Sequence, residues 1–270
     1  MEYGVIHPAI VYGDIKSKRI PGRSLGLNIL PEEYKICSYN CVYCERGLTN
    51  VYTTNAANRN DELPSPEDFE RALESALRQS QQVDALTFSG NGEPTLHPQF
   101  EELVDIAIHL RDRYFPKAMV GILSNSSSIG IDKVIRGLVK LDYRMMKLDA
   151  GDTETFRIIN RPSPGIEFQW LLEGLKTFES ITIQTMFIDG DTQNIGDQEI
   201  GAWIKCVGEI LPDNVQIYSI HRPPAEPFVK EVSGDKLKQI ASSVTTNTGV
   251  PVEVIVRDSS YRKRKRRYWK

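Results

Sequence analysis

The chain has 270 residues, of which 40% are hydrophobic, 9% aromatic and 26% charged. That is the make-up of an ordinary globular protein, long enough to bury one large α/β core or two smaller ones. No run of about 18 or more apolar residues occurs, which excludes a helical membrane span. The opening MEYGVIHPAIVYGD lacks the basic flank and apolar stretch of an export signal, so a cytoplasmic location is expected. The net charge of −3 is unevenly spread: seven of the 33 Lys and Arg fall in Arg262–Lys270 (RKRKRRYWK), leaving 26 to face 36 Asp and Glu elsewhere. Attraction to nucleic acid therefore has to come from that tail or from a local patch.

Short apolar, β-branched runs alternate with stretches of helical period. In chain order they are a strand at Ser24–Leu30, a helix at Pro66–Gln81, a strand at Ala85–Ser89 and a helix at Pro98–Tyr114. Then come a strand at Met119–Ser124, a helix at Ile131–Leu138, a strand at Met145–Asp149, a helix at Phe168–Phe178 and a strand at Thr182–Ile188. The series closes with a helix at Gln198–Leu211, a strand at Val215–Ile220, a helix at Gly234–Val244 and a strand at Val252–Val256. Pro66–Gln81 has the clearest start, with Ser65 as cap, Pro66 at the first helical position and Asp68 three residues after the cap. Such alternation implies a parallel sheet covered by helices. Six units of this kind predict an α/β fold, a partial (β/α)6 TIM-like barrel over residues 1–256 with a basic tail at 257–270. Its chemistry belongs at the C-terminal ends of the strands. Gly47–Pro64 is polar and reads as a loop over the barrel mouth.

Three of the four cysteines lie within eight residues, in Cys37-Ser-Tyr-Asn-Cys41-Val-Tyr-Cys44, just past the first strand of that series. Such crowding argues for metal rather than disulfides. A tetrahedral zinc site would need a fourth ligand, and no nearby cysteine or histidine supplies one. A 4Fe–4S cubane takes three thiolates and leaves its fourth iron open to a substrate or cofactor. Cys206, in AWIKCVGEI, reads as a small apolar residue on a buried helix face.

Cys-x3-Cys-x2-Cys, with Tyr43 before the last cysteine, resembles the signature of the radical S-adenosylmethionine (SAM) superfamily. A second match is Thr87-Phe-Ser-Gly-Asn-Gly-Glu-Pro-Thr-Leu-His-Pro98, in which Asn91-Gly92-Glu93 stands for Gly-Gly-Glu. Together with Arg23–Gly26, LSN at 123–125, KLDAGDTETFRIINRP at 147–162 and HRPPAE at 221–226, the order resembles the stand-alone branch related to tRNA wyosine synthase. Wyosine synthases carry a second cluster on extra cysteines ahead of the triad, and residues 1–36 contain none.

The resemblance implies a 4Fe–4S cluster on Cys37, Cys41 and Cys44 that cleaves SAM to a 5′-deoxyadenosyl radical, which takes hydrogen from a substrate. It implies SAM contacts from Tyr43, Gly90, Asn91, Gly92, Glu93, Ser124 and Asn125. Gly90 and Gly92 would let the backbone approach a ligand, and Glu93 would meet the SAM amino group. Lys147 and Asp149 alternate toward one face of their strand, as SAM contacts or as a structural ion pair. Gln184 would line the same pocket. Arg161, Tyr218 and Arg222 are candidates for the substrate, Arg161 either as a bidentate anion ligand or as a tie between loop and rim. His97 reads equally as hydrogen-bonded scaffold or catalyst. The substrate expectation leans to a nucleoside or tRNA base, reached through the basic tail. The alternatives are a small metabolite or peptide and, from another class, a non-catalytic metal-binding module. A flavodoxin or ferredoxin would supply electrons, and no membrane is involved.

Overall fold

Val11–Lys16 (β1) and Arg23–Leu27 (β2) pair antiparallel at one edge of an eight-stranded sheet. The structure, a computed structural model, describes residues 10–16, 19–20 and 22–256. The basic tail, 257–270, lies outside the described residues.

After β2 the chain forms two short strands, Ile36–Cys37 (β3) and Val51–Tyr52 (β4), and then alternates. The elements are α1 (Pro66–Gln79), β5 (Ala85–Phe88), α2 (Phe100–Tyr114), β6 (Met119–Ser124), α3 (Asp132–Val139) and β7 (Tyr143–Lys147). They continue with α4 (Thr153–Asn160), α5 (Phe168–Lys176), β8 (Thr182–Met186), β9 (Ile188–Gly190), α6 (Asp197–Ile210) and β10 (Asn214–Tyr218). The last are β11 (Val229–Glu231), α7 (Gly234–Thr248) and β12 (Val252–Ile255). The sheet order is β1-β2-β5-β6-β7-β8-β10-β12, parallel from β2 onward. Six β/α units and a closing seventh parallel strand form the open, partial barrel that the sequence pattern predicts.

α1 starts where its cap predicts, and α7 is capped in the same way. Ser65 accepts the Asp68 N–H at 3.1 Å in front of Pro66, and Ser233 accepts the Lys236 N–H ahead of α7. One face of the sheet packs Leu25, Leu27, Leu86, Phe88, Val120, Ile122, Met146, Ile183, Val215 and Ile217 under the helices as the main core. The other face is polar. Thr87 Oγ1 links to Ser24 Oγ at 2.5 Å and to Tyr143 OH at 2.6 Å, Tyr12 OH meets Ser89 Oγ, and Gln184 donates to Gln216 at 2.7 Å. A barrel interior is normally filled with branched apolar side chains, so this lining marks the face that carries chemistry.

Three features differ from the sequence reading. β1 adds an edge strand. Thr153–Asn160, read as part of a loop, is helix α4, capped by Asp152 and closed by Arg161 in the left-handed region just before Pro162. The run through Ile188 divides into β8 and β9, and β9 pairs with β11 in a separate two-stranded sheet. Among the described residues no helix is long and apolar enough to cross a membrane.

Candidate active site

The cysteine loop is fastened on two sides. On one, Ile36 bridges to Gly92, with Ile36 N donating to Asn91 O at 3.3 Å and Glu93 N donating to Ile36 O at 3.1 Å. On the other, Asn40 N donates to Asn160 O and Val42 N to Ile159 O, both at 3.0 Å, so the end of α4 grips the middle of the loop. Segment 47–64, expected over the barrel mouth, lies against this loop: Val51 N donates to Lys35 O and Tyr52 OH to Arg161 O.

Each sulfur has an N–H donor from a side chain outside the Cys37–Cys44 loop. Asn125 Nδ2 lies 3.5 Å from Cys37 Sγ, Asn160 Nδ2 3.4 Å from Cys41 Sγ and Lys35 Nζ 3.1 Å from Cys44 Sγ. Burial pushes the Cys37 thiol up to about 12 and the Cys41 thiol up to about 11. Such thiols become thiolates only against strong positive charge, as a metal provides. Among the described residues no three His, Cys, Asp or Glu side chains are placed to hold a single metal ion. Three thiols, one buried and two half-buried, each with an N–H donor, are a donor set that a cluster could take at three of its corners. Asn160 Oδ1 is buried with no hydrogen-bond partner, an open acceptor on the amide that reaches Cys41.

The glycines of the GNGE turn allow close approaches within the chain. Gly92 has φ +141°, and a Cβ there would sit 1.7 Å from Ile36 O. Gly90 has φ +137°, with the Asn28 side chain 2.4 Å from its would-be Cβ. Both make room for the chain itself, Gly92 for the strand that delivers Cys37. Glu93 is 1% exposed and already gathers four donors. Its Oε1 accepts from Thr95 N, Thr95 Oγ1 at 2.7 Å and Ser124 Oγ at 2.9 Å, and its Oε2 accepts from Asn125 N at 2.5 Å. Burial raises its pKa against these bonds. Acceptor capacity remains on Oε2 alone.

Lys147 and Asp149 form an ion pair, Nζ to Oδ1 at 2.8 Å, with the Asp149 side chain fully buried. Asp149 Oδ1 also accepts the Met186 N–H, and its Oδ2 accepts from Tyr43 OH and from Asn160 Nδ2 at 2.8 Å. Lys147 Nζ sits 5.2 Å from the Tyr43 ring centre and 5.0 Å from that of Tyr218, whose hydroxyl is 3.3 Å away. Burial would lower its pKa, but Asp149 and Tyr218 outweigh that and hold it raised. Asn160 thus joins the cysteine loop to this pair in one network.

The other expected residues have protein partners of their own. Gln184 bonds Gln216, which bonds Glu253 at 2.9 Å, along one register row. Arg161 pairs with Glu226 at 2.6 Å and so ties loop to rim. Arg222 pairs with Glu45 at 3.4 Å. Cys206 is buried on α6 and donates to Gly151 O at 3.4 Å, the bland role expected. His97 bonds Pro64 O and the Gln99 N–H, which makes it scaffold. Lys35 and the grip of Asn160 were not singled out from sequence. Lys35 had a usable signal, because it stands two residues before Cys37, on the same side of an extended segment.

The family model for the radical SAM superfamily matches residues 34–201, which include the triad, the GNGE turn and the Lys147–Asp149 pair. The chain belongs to the radical SAM superfamily. It is 31% identical over 228 residues to the UPF0026 protein MJ1312 of Methanocaldococcus jannaschii, covering 82% of this chain and 66% of that protein. It is 29% identical over 248 residues to a protein of Brachyspira hyodysenteriae named GTPase Obg, covering 90% of this chain but 35% of that protein. The chain thus spans about a third of one relative and just under two thirds of the other. It contains no G-x-x-x-x-G-K-S/T phosphate loop of the kind nucleotide triphosphatases use. A structure of TYW1 with a lysine–pyruvate adduct bound superposes with TM-score 0.61 at 16% identity, over 88% of this chain and 77% of that one, a likeness of fold. Radical SAM enzymes use a 4Fe–4S cluster and SAM, and the three cysteines with their donors are a set that could hold that cluster.

Proposed function

We propose that this chain holds a 4Fe–4S cluster on Cys37, Cys41 and Cys44, binds SAM beside it, and acts on a nucleoside or RNA base. The observation that carries the reading is the single network in which Asn160 reaches both Cys41 Sγ at 3.4 Å and Asp149 Oδ2 at 2.8 Å. A cluster site and a buried cation–carboxylate pair share one amide, which a metal-storage module would not need. The cluster, when bound, supplies one electron that breaks a carbon–sulfur bond of SAM, and the adenosyl fragment then takes hydrogen from the substrate.

The protein's part is to bind and orient. Glu93 Oε2 keeps acceptor capacity for the SAM amino group, with Gly90, Asn91 and Gly92 beside it. Ser124 and Asn125 hold that carboxylate in place and are the proposed contacts to the ribose or methionyl portion. Tyr43, Lys147, Asp149 and Gln184 are the further proposed SAM contacts. The GNGE turn and the triad cannot shift independently, because they share the Ile36–Gly92 bridge. A flavodoxin or ferredoxin is the proposed electron donor.

The substrate lean rests on charge and rings. Arg19 lies 4.8 Å and Lys147 5.0 Å from the centre of the Tyr218 ring. Arg222 follows four residues later. A ring faced by two cations suits an anionic, aromatic substrate, and the basic tail would hold its phosphates. Incubating reconstituted, dithionite-reduced protein with SAM and total tRNA, then digesting the RNA to nucleosides, tests this. A nucleoside that changes mass only with both SAM and protein supports the reading. Unchanged nucleosides alongside continued SAM cleavage would transfer it to a small metabolite, the alternative favoured by the acidic body.

A further inference from the structure

Lys35 is a buried cation with no part in the reaction outlined above. It is 4% exposed. Its backbone is held on both sides by the following loop: Lys35 N donates to Asn50 Oδ1 at 3.0 Å, and Lys35 O accepts from Val51 N at 2.9 Å. Its ammonium donates to Cys44 Sγ at 3.1 Å and to Gly47 O at 3.0 Å, partners that are a sulfur and a carbonyl, not a carboxylate. A buried cation without a counter-charge is costly, and chains retain one where a facing negative charge offsets it. The group that faces Lys35 is a cysteine sulfur, which would carry negative charge as a thiolate cluster ligand. The other two sulfurs receive their N–H groups from neutral amides, Asn125 and Asn160. Of the three donors, Lys35 alone is charged.

Building on the cluster reading above, we propose that Lys35 sets the reduction potential of the cluster. When an external one-electron donor reduces the cluster, the cluster gains one negative charge and no proton moves, since Lys35 is an ammonium before and after. A fixed positive charge against one ligand, in surroundings that screen it poorly, favours the more negative state. Lys35 therefore makes the cluster easier to reduce, and its charge rather than its size is what matters.

The test is a redox titration of the reconstituted full chain, followed by electron paramagnetic resonance, without SAM or substrate. Wild type, K35M, K35Q and K35R are compared, with iron and sulfide measured on each. K35M and K35Q are expected to keep the wild-type iron content and to reduce at a more negative potential, and K35R to titrate close to wild type. A neutral variant with full iron and an unmoved potential would overturn the proposal. So would loss of the cluster from K35M and K35Q, because Lys35 would then serve assembly rather than potential. A wrong substrate leaves this titration readable, whereas a wild type that binds no iron overturns the cluster reading itself.

Discussion

His97 closes the turn after the GNGE motif as a neutral imidazole. One ring nitrogen lies 3.1 Å from Pro64 O and the other accepts the Gln99 N–H at 3.1 Å, so protonation would remove an acceptor in a buried place. Burial pushes its pKa down from 6.5 to about 4. The folded state therefore binds fewer protons than the unfolded chain between these values. The stability His97 contributes is complete above the unfolded value of 6.5 and is lost as pH falls through about 4. Its size is at most about 3 kcal/mol, because each tenfold loss of proton affinity is worth roughly 1.4 kcal/mol. Thermal unfolding of His97→Asn across that range should show a flatter acid limb than wild type, and an identical limb would assign the acid sensitivity elsewhere. Asp149 presents the complementary case. Replacing it with Asn leaves the Lys147 ammonium in place without its carboxylate, at a cost of about 3–5 kcal/mol. Urea unfolding should show that loss in Asp149→Asn, and much of it should return when Lys147→Met is added. A single variant as stable as wild type would mean that the pair contributes little. The alternation of Lys147 and Asp149 is legible in the sequence. That the two meet, and that Asn160 joins them to Cys41, depends on a helix end arriving from α4, which no local pattern encodes.

Among the elements, the two-residue strand β3 is the one on which the site depends. Its register is set by the Ile36–Gly92 bridge, and that bridge exists because Gly92 has no side chain. Gly92→Ala would place a methyl 1.7 Å from Ile36 O at φ +141°, so the strand carrying Cys37 must move. This variant is expected to lose most of its iron on reconstitution while far-UV circular dichroism stays close to wild type. Full iron in Gly92→Ala would show that the cysteine loop is positioned by α4 alone. The glycine pattern is visible in the sequence, but the self-contact at Gly92 is not: close approach to a ligand and close approach to one's own chain leave the same signature. Regular elements are legible to within a few residues, Met119–Ser124 and Phe168 onward among them, because the apolar period is clear there. The signal for α4 was present in Asp152, in the Phe156–Ile159 spacing and in the terminating Pro162. The β1 edge strand and the β9–β11 pair are short and bound by long-range pairing, where composition is a weak guide.

At the scale of the whole molecule, the alternating plan and the open barrel follow from sequence because six β/α repeats constrain topology strongly. The polar inner face does not follow so directly, since register decides which of two alternating sets points inward. Charge is divided between an acidic body and the tail Arg262–Lys270. If the tail meets RNA, its contacts release counterions, so affinity for total tRNA should fall steeply with salt. Deleting Arg262–Lys270 should then lower both the affinity and its salt slope in a fluorescence titration. Equal binding by the full and shortened chains would remove the tail from substrate recognition. Cluster binding and SAM cleavage both depend on the triad. The most direct measurement is anaerobic reconstitution, reduction with dithionite in the presence of SAM, and chromatography of the products for wild type, each triad Cys→Ala variant and Cys206→Ala. Wild type and Cys206→Ala are predicted to bind about four irons per chain and to release 5′-deoxyadenosine and methionine, and all three triad variants to do neither. Cleavage of SAM by any triad variant, or a wild type that carries one zinc and leaves SAM intact, would contradict it.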